Sequence, residues 1–274
     1  MSRHRLRAAI AAPALLLVVP ATVLAVNTAS QVVSYEHGGS ASEGFQDSSA
    51  ALGSLNPIAD PVFGNTILSP FNPPYRNSDI VIVGDGGQIT LKLQQAVSAS
   101  PAGPEIGVFV NNGLIDIDYP HGQNRTPAGF FSDPPQAIVS VSANGSDFVP
   151  LNASPFLFDA PSNFYADLGA DPSNTSNPGS IAADMSKPFS GHLNDFSGLD
   201  WNATKALLAG SAGGTWLDFS ATGLPAVQYV RFAVPAGASY RMVVDAVGAV
   251  PEPATALVML SLAAAVKRRR RRRA

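Results

Sequence analysis

The chain contains no cysteine. Disulfides, thiolate metal sites and cysteine nucleophiles are therefore excluded. Charge is scarce, at 14% of residues, and positive charge is nearly missing from the middle of the chain. Of 17 Lys and Arg, three (Arg3, Arg5, Arg7) stand at the start and seven (Lys267 to Arg273) at the end, which leaves seven for the body. Of 20 acids only Glu252 falls in the C-terminal segment, so 19 stand against those seven and the body carries −12. That balance argues against nucleic-acid binding, whose affinity comes mainly from cations on phosphate. It favours a body that is soluble outside the membrane.

Catalytic patterns are also missing. There is no His-Glu-x-x-His helix and no Gly-x-Ser-x-Gly elbow. The histidines His4, His37, His121 and His192 lie far apart. "IVIVGDGG" invites a dinucleotide-binding reading, but the third glycine of that fingerprint is absent and the next run alternates like a strand. The expectation is a protein without enzymatic activity and without a resident cofactor. Calcium is the one ion its acidic loops would admit, around Asp116 with Asp118, Asp167 with Asp171, or Asp195 with Asp200. Solvated loop acids are the plainer reading of the same residues.

What the chain does have is glycine (24), proline (23) and short β-rich runs between turn residues. That combination predicts an all-β sandwich or barrel. Three hairpins are expected. One joins Ile80–Val83 to Gln88–Leu93 around Gly84-Asp85-Gly86-Gly87, and the others pivot on Asn112-Gly113 and Asn144-Gly145. Ile89, Leu91 and Leu93 share one face of a strand. Further strands are expected at Asn163–Asp167, Trp216–Phe219, Val227–Val234 and Tyr240–Val247, with Val230, Phe232 and Val234 pointing inward. One short helix is predicted near 201–209, capped by Asp200 or Asn202 and stopped by Gly210. Its Leu207 and Leu208 should pack inward.

Both ends carry addresses. Residues 1–25 read as a signal peptide with a cationic start, an apolar stretch and a cut after Ala25; a cut as late as 29 is the alternative. At the other end, Pro251-Glu252-Pro253 precedes an uncharged run of 13 residues, Ala254 to Val266, and then Lys267, Arg268, Arg269, Arg270, Arg271, Arg272 and Arg273. The run predicts a transmembrane helix over 254–266, about 20 Å long and short of the roughly 30 Å hydrocarbon core. The basic cluster would hold the cytoplasmic side as a topological stop, and its long stems can lengthen the effective span.

This three-part tail resembles the PEP-CTERM sorting signal of exported bacterial proteins. The resemblance implies recognition by an exosortase through Pro251, Glu252 and Pro253, cleavage near that triplet, and a host that makes extracellular polysaccharide. The body (31–249, ahead of a sorting signal at 250–274) also resembles a domain common in such proteins, through "VVSYEHG", "SPFNPPYRNSDIVIVGDGGQITLKL", "IGVFVNNGLIDIDYPHG", "AIVSVSANGSDFVPL" and "VQYVRFAV". That resemblance implies a jelly-roll β-sandwich similar to discoidin-like, galactose-binding folds. The functional expectation is a membrane-anchored precursor that becomes a cell-surface or extracellular-matrix protein of structural or adhesive role. A carbohydrate-binding module is the alternative, with Tyr119, His121 and Asn124 as glycan contacts, and a secreted glycan-active hydrolase is the least supported. The partners are an exosortase, the membrane and extracellular polysaccharide, with no nucleic acid.

Overall fold

The computed structural model describes residues 26–39, 44–60, 66–100, 103–174 and 178–250. The expected signal peptide, Ala25, the Pro-Glu-Pro triplet, the apolar run and the basic cluster lie outside the described residues. No helix among the described residues is long and apolar enough to cross a membrane.

Alternating apolar residues place the strands. In chain order they are β1 (Asn27–Glu36), β2 (Ile58–Asp60), β3 (Thr66–Ile67), β4 (Val81–Val83), β5 (Gln88–Ser98), β6 (Ile106–Phe109), β7 (Gln136–Ser142), β8 (Val149–Pro150), β9 (Phe156–Leu157), β10 (Thr215–Leu217), β11 (Ala226–Ala233), β12 (Met242–Val244) and β13 (Ala246–Ala249). The main ladder runs β10-β6-β13-β1-β5-β11-β7-β8, with β9 also on β7, while β4 pairs β12 and β2 pairs β3. All the paired strands are antiparallel. The protein is mostly β-sheet with one short α-helix among the described residues, as expected.

Strand β1 belongs to two arms of that ladder. Asn27 and Thr28 face Ala249 and Gly248 of β13. From Ala29 onward β1 faces β5, through two register shifts, to Glu36 opposite Gln88. One core draws from both arms: Ile89, Leu91 and Leu93 of β5 and Val230 and Phe232 of β11 pack in the same cluster as Ile106, Val108, Leu217 and Val247. The inward residues Val230, Phe232 and Val234 are buried as predicted. Val227 is buried too, because a register shift between Val227 and Tyr229 turns it to the core. On the outer face Arg231 donates to Thr90 Oγ1 (3.0 Å) and its guanidinium lies 3.7 Å from the centre of the Phe148 ring, and Thr90 is buried.

The β7–β8 hairpin forms as expected, with Ser140 opposite Pro150 and Val141 opposite Val149. Gly145 takes φ +79°, and Asn144 Oδ1 accepts from the Ser146 and Asp147 amides. The other two expected hairpins do not form. β4 pairs β12, and β5 leaves for β1 and β11. The Gly84–Gly87 turn instead locks onto the end of β1: Gly84 N donates to His37 O, and Gly39 and Asp85 exchange backbone bonds. A Cβ on Gly38 would lie 2.5 Å from Gly84 O, so glycine is required there. After β6, Asn112 is buried and donates to Phe158 O (2.6 Å), so Asn112-Gly113 carries the chain inward rather than back.

Two further expectations are corrected. Asn163–Asp167 makes only an isolated bridge, Tyr165 to Ala182, because Asn163 and Asp167 use their side chains on loop backbone. Tyr240–Val247 splits into β12 and β13 at buried Asp245, whose amide donates to Phe109 O. Strand β1 begins at Asn27, ahead of the expected body start at 31, and a cut after 29 would remove its pairing with β13.

Helix α1 (Trp201–Leu208) is capped by Asp200, whose carboxylate accepts from Ala203 N at 2.8 Å. It stops where Ala209 and Gly210 both turn to positive φ. Leu208 is buried and Leu207 half-buried over a second core, where Phe71 meets Trp201 edge-on with centres 6.4 Å apart.

Phe232 offers a direct test of the packing. Its ring is fully buried and meets Phe158 edge-on at 5.9 Å. Phe232→Ala is expected to cost about 3–5 kcal/mol, measured as a lowered urea midpoint; a loss below 1 kcal/mol would contradict this packing.

Candidate functional site

Among the described residues, two clefts of the body share Ser132 in their linings. The first, of about 560 Å³, is lined by Tyr75, Tyr119 and Phe131, with Asn72, Asn111, Asp116, Ser173 and Asn174 between them. The second, of about 870 Å³, is lined by Asp85, Asp133, Gln136, Leu157, Tyr240 and Arg241 among others. Seven large apolar side chains stand exposed among the described residues, and four of them, Tyr75, Tyr119, Phe131 and Leu157, lie in these clefts. Scattered exposed apolar residues need no explanation, but a grouped set marks a contact surface.

The Asp116 carboxylate builds the loop that presents Tyr119. It accepts from the amides of Asp118 (2.9 Å), Gly122 (3.1 Å) and Gln123 (2.9 Å), and from the Ser173 hydroxyl. His121 N returns to Asp118 O and Ile117 N to Gln123 O. With its turns closed internally, the loop leaves Tyr119 at 63% exposure. Helix α1 backs the same wall through Phe71 on Trp201. The first cleft thus combines three aromatic side chains with amide and hydroxyl groups, the combination that binds the apolar faces and hydroxyl edges of sugars.

The three expected glycan contacts part company. Tyr119 lines the cleft. His121 is exposed, stands outside the lining, and its Nδ1 lies 3.0 Å from Asp171 Oδ1. Asn124 is fully buried and donates to Phe196 O, so no ligand reaches it. Its polarity serves an interior carbonyl instead of solvent. Sequence reasoning missed Tyr75 and Phe131. A usable signal was the adjacent Phe130-Phe131 pair, of which alternation buries one and exposes the other.

Of the proposed calcium carboxylates, Asp116, Asp167, Asp195 and Asp200 are committed to backbone amides, and Asp171 lies 3.0 Å from His121 Nδ1. Asp167 takes Ser180 N, Ser180 Oγ and Ile181 N; Asp195 takes His192 N; Asp200 caps α1. Among the described residues no group of three His, Asp or Glu is placed to hold a metal. Two acids do sit together away from the clefts. Asp79 is buried and forked by Arg76, at 2.6 and 2.8 Å. Asp245 is buried with Oδ2 unpartnered, and burial, with repulsion from Asp79 second, pushes its pKa well up.

These environments set opposite pH responses. The Ser180 side chain, with the Ile181 and Ser180 amides, holds Asp167 at about 2. Its stabilisation is therefore present above the ordinary carboxyl pKa of about 3.9 and is lost as pH falls through about 2. Asp167→Ala should lower the thermal midpoint at pH 5, with the gap to wild type closing near pH 2. For Asp245 the folded pKa is raised, so its contribution is full below the ordinary carboxyl pKa and is lost as pH rises through the folded value. Asp245→Asn should be more stable than wild type at pH 8, with that gap shrinking at pH 4, as read by urea midpoints. A constant gap would contradict the assignment.

Residues 249–273 match the PEP-CTERM protein-sorting motif. No curated protein matches the chain. The sorting motif marks an exported, membrane-processed protein that is a target of an exosortase.

Proposed function

We propose that this exported, exosortase-targeted chain delivers a carbohydrate-contacting body to the cell surface or extracellular matrix, where it acts as an adhesive module. The observation that carries this reading is the first cleft, where Tyr75, Tyr119 and Phe131 stand exposed beside Asn72, Asn111 and Asn174. The body is a two-layer sandwich of jelly-roll type in this reading. Support comes from β1, which passes from one arm of the ladder to the other, and from the single core that draws on both arms. The precursor is held at the membrane by the apolar run 254–266 with Lys267–Arg273 inside, and the N-terminal leader is removed after Ala25.

The chemistry favours binding over hydrolysis. A glycosidase of the usual kind needs two carboxyls facing across the scissile bond. The adjacent acids Asp79 and Asp245 are buried outside both clefts, Asp116 in the first cleft is occupied by four donors, and of the two acids in the second cleft, Asp85 and Asp133, Asp85 is taken by the Gly237 amide.

Tyr119→Ala and Phe131→Ala are each expected to weaken retention on the host's own polysaccharide by about tenfold, equivalent to ~1.4 kcal/mol, with the thermal midpoint unchanged. Retention equal to wild type in both variants would remove the cleft from the function.

A further inference from the structure

We infer that the body is polar in its placement: the membrane-held end is the β1–β13 end, and both clefts open at the opposite end, facing away from the membrane. This rests on the sorting reading above, because it needs the tail to hold the precursor.

The two chain ends leave the body side by side. Asn27 pairs with Ala249 and Thr28 with Gly248 in an antiparallel ladder. Antiparallel pairing of a strand's start with its partner's end puts both at the same end of the body, so Val26 and Val250 stand there together. The leader ends at Ala25, two residues before Asn27, and the Pro-Glu-Pro triplet starts two residues after Ala249. There is no linker between body and triplet. Val250 itself is tied down, its amide donating to Glu105 O at 2.9 Å. Four peptide steps from Val250 to Ala254, where the apolar run begins, reach at most about 14 Å. A flexible linker would let the body tumble; a connection of this reach keeps the β1–β13 end close to the membrane surface.

The clefts lie at the other end of β1. The strand runs from Asn27 to Glu36, which places its two ends at most about 30 Å apart at ~3.3 Å per residue. Past Glu36, His37 O accepts from Gly84 N, and Gly39 pairs with Asp85. Gly84 and Asp85 line the second cleft. Arg241 of that cleft immediately precedes β12, whose Met242 faces Val83. The first cleft adjoins the second at Ser132. Tethered through Val250, the body therefore presents its joined clefts outward, where they meet a partner lying beyond the cell surface. The fitting partner is an extended, uncharged polysaccharide: two adjoining clefts suit a chain of several sugars, and a body of −12 repels a polyanion.

The absence of native cysteine gives each single-cysteine variant one thiol. Ala96 is exposed near the Asn27 end, next to Gln95, whose amide bonds Asn27. Ala236 is exposed at the cleft end, next to Gly237, whose amide bonds Asp85. Full-length Ala96→Cys and Ala236→Cys would be produced in cells lacking exosortase activity and treated with a bulky, membrane-impermeant maleimide. The expected result is labelling of Ala236→Cys and loss of labelling of Ala96→Cys on intact cells, with equal labelling of both after detergent release. Equal labelling on intact cells, or preference for Ala96→Cys, overturns the orientation while leaving the sorting reading intact. Absence of any cell-bound pool overturns the sorting reading and the orientation with it.

Discussion

The fold depends on one strand serving two arms of its ladder. Asn27 and Thr28 close the β6–β13 arm, and Ala29 to Glu36 open the β5–β11–β7 arm. The strand passes from β13 to β5 between Thr28 and Ala29, beside a register shift between Ala29 and Gln31. A bulge bends a strand and increases its twist, which allows such a change. Without it, Leu91, Val230 and Phe232 would not share a core with Val108, Leu217 and Val247. Because β13 lies between β6 and β1, the last strand of the body is also internal to the sheet. The body is completed only when both ends of the chain are in place.

Around that frame, polar side chains organise loops instead of waiting for ligands. Asp116, Asp167, Asp195 and Asp200 each accept from backbone amides that a loop would otherwise leave unpaired. In a chain so rich in turns, such bonds replace the ladders that loops lack. They also explain why Tyr119 stands exposed: its loop is satisfied internally without the ring. Asp245 is the exception. It is a buried acid beside another acid, at the junction of β12 and β13, and its free oxygen costs stability when ionised.

Local chemistry was legible in the sequence; remote pairing was not. The turn at Asn144-Gly145 is built by its own residues, so its hairpin could be read directly. The helix could be read for the same reason, from Asp200 and Gly210. Alternation located Ile89, Leu91, Leu93, Val230 and Phe232 in the core. It could not show that Val83 faces Met242 or that Asn27 faces Ala249, because nothing near those residues specifies a partner so distant in sequence. The same limit applied at the clefts. Tyr119 was legible as an aromatic in a polar loop, whereas Asn124 looked equally polar and is sealed inside on the Phe196 carbonyl. Tyr75 and Phe131 come from separate loops that meet only in the folded protein.

In the proposed arrangement the address and the clefts occupy different ends of the same body. The sorting motif at 249–273 begins where the central strand β13 finishes, and the aromatic clefts open beyond the far end of β1. The intact mass of the exported protein tests this arrangement most directly, because it reads both flanks of the β1–β13 pairing at once. The account predicts a chain that begins near Val26, retains Val250 and lacks Arg268–Arg273. An exported protein that still carries those arginines, or one truncated within β13, would contradict it.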